Sequence, residues 1–485
     1  MLRAVLSAAL FLGASSLCQN VKNKLKEFHI NVQNEIERLL PSPPSNSTPQ
    51  QLHLSTTGTL GELFITWVVP DSGDVCTDSY ASIGGATFPA AWSTYEAGVA
   101  GWAGHIYTAR LTGLAPGAAV SYSVHSCGST TGPISITGPK ANGPEAETLV
   151  AVMADMGTVI PLGFATAAQI EKDHSLEPFD LFVLAGDISK LYNPLYCPLY
   201  LLGLRSLTHS NHNTPSVLAH SVTGYATVDP PKNELEEVWD AYGRLVEPFM
   251  SLAPFNPGVG NHEHTPGTLK NASGTFKVDY AAYQTRYGAV PPTGNANLWY
   301  SYDHGAVHFT CINSEEAQTP GSPQAAWLAA DLAAAAANRA AIPWLVMMQH
   351  RPVYSSTKSE AGDHTPGSGF PLTLEPYIKQ YGVDLFLTGH EHQYERTLPV
   401  FNGTVFSTGG GNATFISPGA PIYVVQGTSG AFVSGDWEEP QPSWSAFREG
   451  VSYGYGKMRV QGGSRLTYQW ISIEGKVLDA FTILK

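Results

Sequence analysis

Four apolar runs each close on a polar or ionisable residue: TLVAVMADMG at 148–157, FDLFVLAGD at 179–187, IPWLVMMQH at 342–350 and VDLFLTGHEH at 383–392. Runs of this kind, apolar without alternation, suit strands buried on both faces of a sheet. Helical stretches such as AAWLAADLAAAAANRAAI and LEPYIKQYG lie between them, so the chain is α/β from about residue 144. In such sheets ligands gather beyond the carboxyl ends of the strands. There the sequence sets Asp155, Asp187, Asn261 and His262 of GVGNHE, His350, His390 and His392. Taken singly, each has an ordinary explanation as a turn residue, a helix cap or a packed histidine. Gathered on one edge, they form a set of oxygen and imidazole donors without thiolate, which suits Zn, Mn or Fe. Seven candidates are too many for one catalytic zinc and fit two metals that share a carboxylate.

The remainder of the chain is organised around this core. Residues 1–18 carry one basic residue, a short apolar run and small residues, the pattern of a secretory signal. Residues 19–50 contain an amphipathic segment and the linker PSPPSNSTPQ. Over 51–143 the pattern becomes short alternating runs, LFITWVV, HIYTARLTGL and AVSYSVHS, which predict an antiparallel β-sandwich. The catalytic domain is expected over 144–420, and the β-rich stretch 421–485 completes its sheets. Four sequons, at Asn46, Asn271, Asn402 and Asn412, fit a secreted or vacuolar-lysosomal glycoprotein. Cys76 and Cys127 fall in the same β region and are the preferred disulfide; Cys197 and Cys311 are left unassigned. The net charge of -14 argues against binding nucleic acid or an anionic membrane. An anionic substrate would then need something other than the protein's overall field to attract it, and bound metal answers that need. The sequence does not specify an oligomeric state.

ADMG, GD, GNHE, HRPVY and GHEHQYER, in this order, resemble the purple acid phosphatases within the wider binuclear metallophosphoesterases. The flanking segments GHIYTARLTGLAPGAAVSYSV and WSAFREGVSYGYGKMRV resemble that family's fibronectin III-like N-terminal domain and its C-terminal part. The resemblance implies a fibronectin-like sandwich followed by an αββα-type metallophosphoesterase sandwich. It implies that Asp187 bridges two metals, that Asp155 and His392 hold Fe(III), and that Asn261, His350 and His390 hold a divalent Fe, Zn or Mn. It further implies that the metals activate water for attack on small phosphorylated substrates, phosphomonoesters at acidic pH. His262 is then placed to protonate the leaving group or to position the phosphate. His364 stands near the place of a second substrate histidine, with a solvent-exposed loop residue as the alternative. His264, His209 and His212 are read as loop residues. A phosphodiesterase or nucleotide-cleaving relative would use the same metals, and a variant inactivated after Ser189 is the other alternative.

The family's second motif runs Gly-Asp-x-x-Tyr, yet Lys190 stands at the tyrosine position and Tyr192 is two residues out of register. YATVDPPKNELEEVWDAYGRLVEP, beginning at Tyr225, continues GDIS naturally, which makes 190–224 an insertion, either a surface loop or a translated intron. Tyr225 can be the seventh ligand if the insertion returns its ends to neighbouring positions.

Overall fold

The computed structural model describes residues 48–485 apart from 71–72, 98–101, 103, 158–160, 189, 193–222, 226–235, 289–294, 296, 359–361, 408 and 411–412. The signal and amphipathic segments, Asn46, Asn412, Cys197, His209 and His212 therefore lie outside the described residues, as does the side chain of Tyr225. Among the described residues no helix is long and apolar enough to cross a membrane. Of two compact units, the larger comprises Pro44–Leu191 and Tyr225–Lys485.

The N-terminal part of that unit is one antiparallel system. Its strands run in the spatial order Gln50–Thr56, Leu63–Val69, His105–Leu111, Ala86–Ala97, Tyr80–Ile83, Ala119–Ser126 and Ser129–Thr137. The long strand Ala86–Ala97 serves both halves: Ala86 to Pro89 pair with Tyr80–Ile83, and Ala90 to Ser93 pair with His105–Leu111. The two halves thereby fold over a shared core that includes Leu54, Ile65, Trp67, Tyr107, Tyr122 and Val124. Cys76 is bonded to Cys127 with their Cα atoms 5.1 Å apart, the pairing expected from their shared β region. The sequence did not disclose a hairpin from the catalytic segment, Gly267–Asn271 with Gly274–Val278, which adds to this sheet by pairing with Ser93 to Ala97. Thr94 to Ala97 lie past the end of the pairing with His105–Leu111, so their backbone groups are open to a further partner.

The catalytic part consists of two seven-stranded mixed sheets packed face to face. The first has the order Phe255–Pro257, Leu181–Leu184, Glu147–Met153, Gly454–Gln461, Arg465–Ser472, Val477–Leu484 and Thr414–Ile416. The second has the order Tyr300–His304, Val307–Cys311, Trp344–Met348, Leu385–Thr388, Ile422–Gln426, Tyr394–Thr397 and Ser445–Glu449. Val150, Val152, Leu181 and Val183 of one sheet meet Phe309, Val346, Met348 and Leu387 of the other in a common core. The outer faces are covered by helices. Leu328 and Leu332 of Pro323–Ala337, with Leu374 and Ile378 of Gly369–Tyr381, pack on the second sheet. Phe249 of Glu236–Met250 and His174 of Pro161–Leu176 lie against Phe182 of the first. This is the expected αββα layering. It also explains the unbroken apolar runs, since each central strand has the sister sheet on one face and a helix on the other.

The insertion behaves at its base as a closed excursion. Lys190–Tyr192 and Thr223–Tyr225, its two ends, pair as a two-stranded sheet. The backbone therefore returns to where it left.

A buried ion pair ties the two sheets together. The Asp479 carboxylate accepts from Arg396 Nε at 2.6 Å, Arg396 Nη2 at 3.0 Å and the Tyr394 hydroxyl at 2.9 Å. Tyr394 in turn stacks on Trp470 with ring centroids 4.3 Å apart. Removing one member of such a pair leaves a buried charge without compensation. Asp479→Ala is expected to lower the free energy of unfolding by about 3–5 kcal/mol, measured by denaturant titration. The double replacement Arg396→Met with Asp479→Leu is expected to recover most of that loss.

Candidate metal centre

Five parallel strands deliver the site, and the two sheets share it. Glu147–Met153, Leu181–Leu184 and Phe255–Pro257 of the first sheet run into Asp155, Asp187 and Asn261. Trp344–Met348 and Leu385–Thr388 of the second run into His350 and into His390 and His392. Each loop turns sharply as it leaves its strand. Asp155, Asp187 and His390 all have positive φ, at 58°, 52° and 69°. Asp and His tolerate this left-handed region better than most residues, and such strain persists where surrounding contacts over-determine it. Gly186 and Gly260 let the loops close on one another. A Cβ on Gly186 would stand 2.7 Å from His350 Nδ1, and one on Gly260 would run into the backbone and carboxylate of Asp187.

The donors converge. Asp155, Asp187 and His350 are buried, with one ligand atom of each within 4.8 Å of the others. His350 Nε2 lies 3.2 Å from Asp187 Oδ2 and 3.0 Å from Asn261 Oδ1, and His390 Nδ1 lies 3.0 Å from the same amide oxygen. His392 Nε2 lies 3.5 Å from Asp155 Oδ1. Backbone carbonyls set which nitrogen faces inward. His350 Nδ1 is 2.9 Å from Ala185 O and His392 Nδ1 is 2.9 Å from Phe432 O. A carbonyl oxygen can only accept, so each Nδ1 donates, and in the neutral form each ring has its Nε2 lone pair toward the carboxylates. Carboxylate, amide and imidazole groups gathered this closely could hold a cation among them. A metal pair suits donor types of this hardness, and the residues present fit it.

The surroundings hold these groups in place. The backbone N–H of His390 donates to Asp155 Oδ2 at 2.8 Å, leaving Oδ1 toward His392. Arg351 donates to Glu315 Oε1 at 2.9 Å and reaches His390 Nε2 at 3.2 Å. His262, 16 % exposed, has Nε2 3.9 Å from Asp187 Oδ2 and donates its backbone N–H to Asp187 Oδ1 at 3.2 Å. His364 is wholly buried and lies flat on Phe370, ring centroids 5.9 Å apart, so the solvent-exposed alternative does not hold. His264 is exposed and packs against Tyr280.

Several contributors were not singled out from the sequence. Glu263 accepts backbone N–H groups of Asp187, Ile188 and Gly260. Burial, with the Asp187 carboxylate beside it, holds its pKa well above the usual carboxylate range. The segment from Gly427 to Ser434 wraps Asp155 and His392: Ala431 N donates to Asp155 O at 2.8 Å, and Ser434 N donates to His392 O at 2.9 Å. Glu263 stood in plain view inside GNHE, but its contacts are all to backbone and leave no mark in residue spacing.

Comparison with known proteins agrees with this geometry. The family model described as calcineurin-like phosphoesterase matches residues 148–394, and that of the iron/zinc purple acid phosphatase-like C-terminal domain matches 420–480. Acid phosphatase type 7 of Mus musculus is 28% identical over 463 residues, covering 90% of this chain and 91% of its own length. Purple acid phosphatase 18 of Arabidopsis thaliana is 30% identical over 242 residues, 49% of this chain and 50% of its own. A purple acid phosphatase from yellow lupin seeds shares the fold, with a TM-score of 0.72 at 23% identity over 90% of this chain and 74% of that one. With the ordered motifs, the two-sheet architecture and both family models in agreement, the chain belongs to the purple acid phosphatases, hydrolases of the calcineurin-like phosphoesterase family.

Proposed function

We propose that this protein is a secreted acid phosphatase that hydrolyses small phosphomonoesters at a two-metal centre of Fe(III) with a divalent Fe, Zn or Mn. The observation that carries the reading is the convergence of carboxylate, amide and imidazole acceptors from both sheets around Asp187. When bound, the two metal ions supply the Lewis acidity that makes water nucleophilic at mild pH and offset the charge of a phosphate ester. The rest falls to the chain. Asp187 has two carboxylate oxygens to share between the sites; Asp155 and His392 complete one of them, and Asn261, His350 and His390 the other. The neutral amide of Asn261 adds no charge, which suits a divalent ion. His262, at the rim beside Asp187, is positioned to give a proton to the departing alkoxide oxygen. A substrate-binding role for His364 rests on the resemblance alone, since its ring is buried beside Phe370. Tyr225 is the proposed phenolate ligand of the ferric site, and the pairing of its strand with Lys190–Tyr192 supports that reading by bringing the ends of the insertion together. Secretion rests on the apolar leader at 1–18. Glycosylation rests on the sequons, of which Asn271 ends a strand and Asn402 is exposed at a hairpin turn.

The mature chain is expected to carry two metals and to hydrolyse p-nitrophenyl phosphate at acidic pH. Asp187→Asn is expected to cost more than the ~100-fold typical of groups that merely support metal ligands. Hydrolysis unaffected by that change overturns the assignment, and a preference for bis-p-nitrophenyl phosphate would favour a phosphodiesterase instead.

Gly260→Ala is expected to lower metal content in the purified protein, measured by inductively coupled plasma mass spectrometry, because the added Cβ displaces Asp187.

Tyr225→Phe is expected to abolish the visible absorption of the iron-loaded protein. An unchanged spectrum removes Tyr225 from the ligand set.

A further inference from the structure

We infer that Glu263 is a positioning residue that sets the spacing between Asp187 and the loop carrying Asn261 and His262, an inference that rests on the two-metal reading above. Its carboxylate is 1 % exposed and accepts three backbone N–H bonds: Oε2 from Asp187 at 2.8 Å and Gly260 at 2.6 Å, and Oε1 from Ile188 at 2.9 Å. A bond in the opposite sense, His262 N to Asp187 Oδ1 at 3.2 Å, completes the tie. Glu263 is itself fixed, since its N–H donates to Gly260 O at 3.2 Å and its carbonyl accepts from Thr265 N at 2.9 Å. Every donor it gathers belongs to the two loops that present Asp187 and Asn261. A carboxyl group with two acceptor oxygens can take all three donors at once.

Two further observations make this a device for the metal site rather than general packing. Asp187 is held at φ 52°, a left-handed conformation that is less strained for Asp than for most residues but still one that surrounding contacts help to fix. The clamp grips both Asp187 and Ile188, and Ile188 stands just before the chain departs into the strand Lys190–Tyr192 and the insertion. The bridging carboxylate is thereby anchored to the Gly260 loop, independently of the inserted segment on its other side. A glutamine at 263 would keep one acceptor but turn an NH2 toward one of the loop donors, and so would open the clamp at one end.

The test uses the full mature chain, stripped of metal and titrated with Mn2+ alone. Calorimetry reports affinity and stoichiometry, electron paramagnetic resonance reports exchange coupling between the ions, and circular dichroism with thermal melting reports the fold of the metal-free protein. The wild type is expected to take up two coupled ions. Glu263→Gln is expected to melt within a few degrees of wild type when metal-free, yet to bind the second ion ~10–100-fold more weakly and to lose the coupled signal. A wild-type chain that takes up fewer than two ions overturns the two-metal reading, and the clamp with it. A wild-type chain with two coupled ions beside a Glu263→Gln variant of equal affinity and coupling overturns the clamp alone. Should Glu263→Gln fail to fold, Glu263→Asp, which keeps the carboxyl group and shortens the reach, is read in the same way. Failure of both to fold assigns Glu263 to general stability and overturns the positioning role.

Discussion

Asp155 and Asp187 are buried carboxylates on neighbouring loops, 0 % and 1 % exposed, and the rest of the site is organised around keeping both of them there. Two anionic groups withdrawn from water at such short range repel one another, and burial adds a desolvation cost to each. The fold answers in two ways. It surrounds the carboxylates with backbone donors, the N–H of His390 on Asp155 and that of His262 on Asp187. It also sets Nε2 of His350 beside Asp187 and Nε2 of His392 beside Asp155.

The two-sheet architecture is what makes the convergence possible. One sheet alone would bring Asp155, Asp187 and Asn261 to its edge, or the histidines, but not both. Packing the sheets face to face, with the carboxyl ends of their parallel strands at one border, sets His350 beside Asp187 and His392 beside Asp155. The C-terminal strands complete both sheets, and the Arg396–Asp479 pair ties one to the other just beyond the GHEH segment. The hairpin that follows GNHE adds to the N-terminal antiparallel sheet, so the loop bearing Asn261 and His262 continues directly into that layer.

The segment 190–224 follows closely on the loop that carries Asp187. Its ends pair with each other, so the segment costs the surrounding strands little in register. Strand Leu181–Leu184 keeps its parallel pairing with both neighbours, and Asp187 keeps its contacts with His350, His262 and Glu263.

Residue order alone determined the strands, because an unbroken apolar run ending in Asp or His has few other meanings, and it determined the donor set, because side-chain chemistry is written in the residue types. Asp155, Asp187, Asn261, His350, His390 and His392 were legible for that reason, as was the pairing of Cys76 with Cys127. The tertiary structure decided which nitrogen of each histidine faces inward, through the carbonyls of Ala185 and Phe432, and which loops touch, through the missing Cβ of Gly260 and the carboxylate of Glu263. It also decided that His364 is buried against Phe370 and that the hairpin at 267–278 joins the N-terminal sheet. These depend on backbone groups, which are alike at almost every position. Only the path of the folded chain selects which of them meet a given side chain.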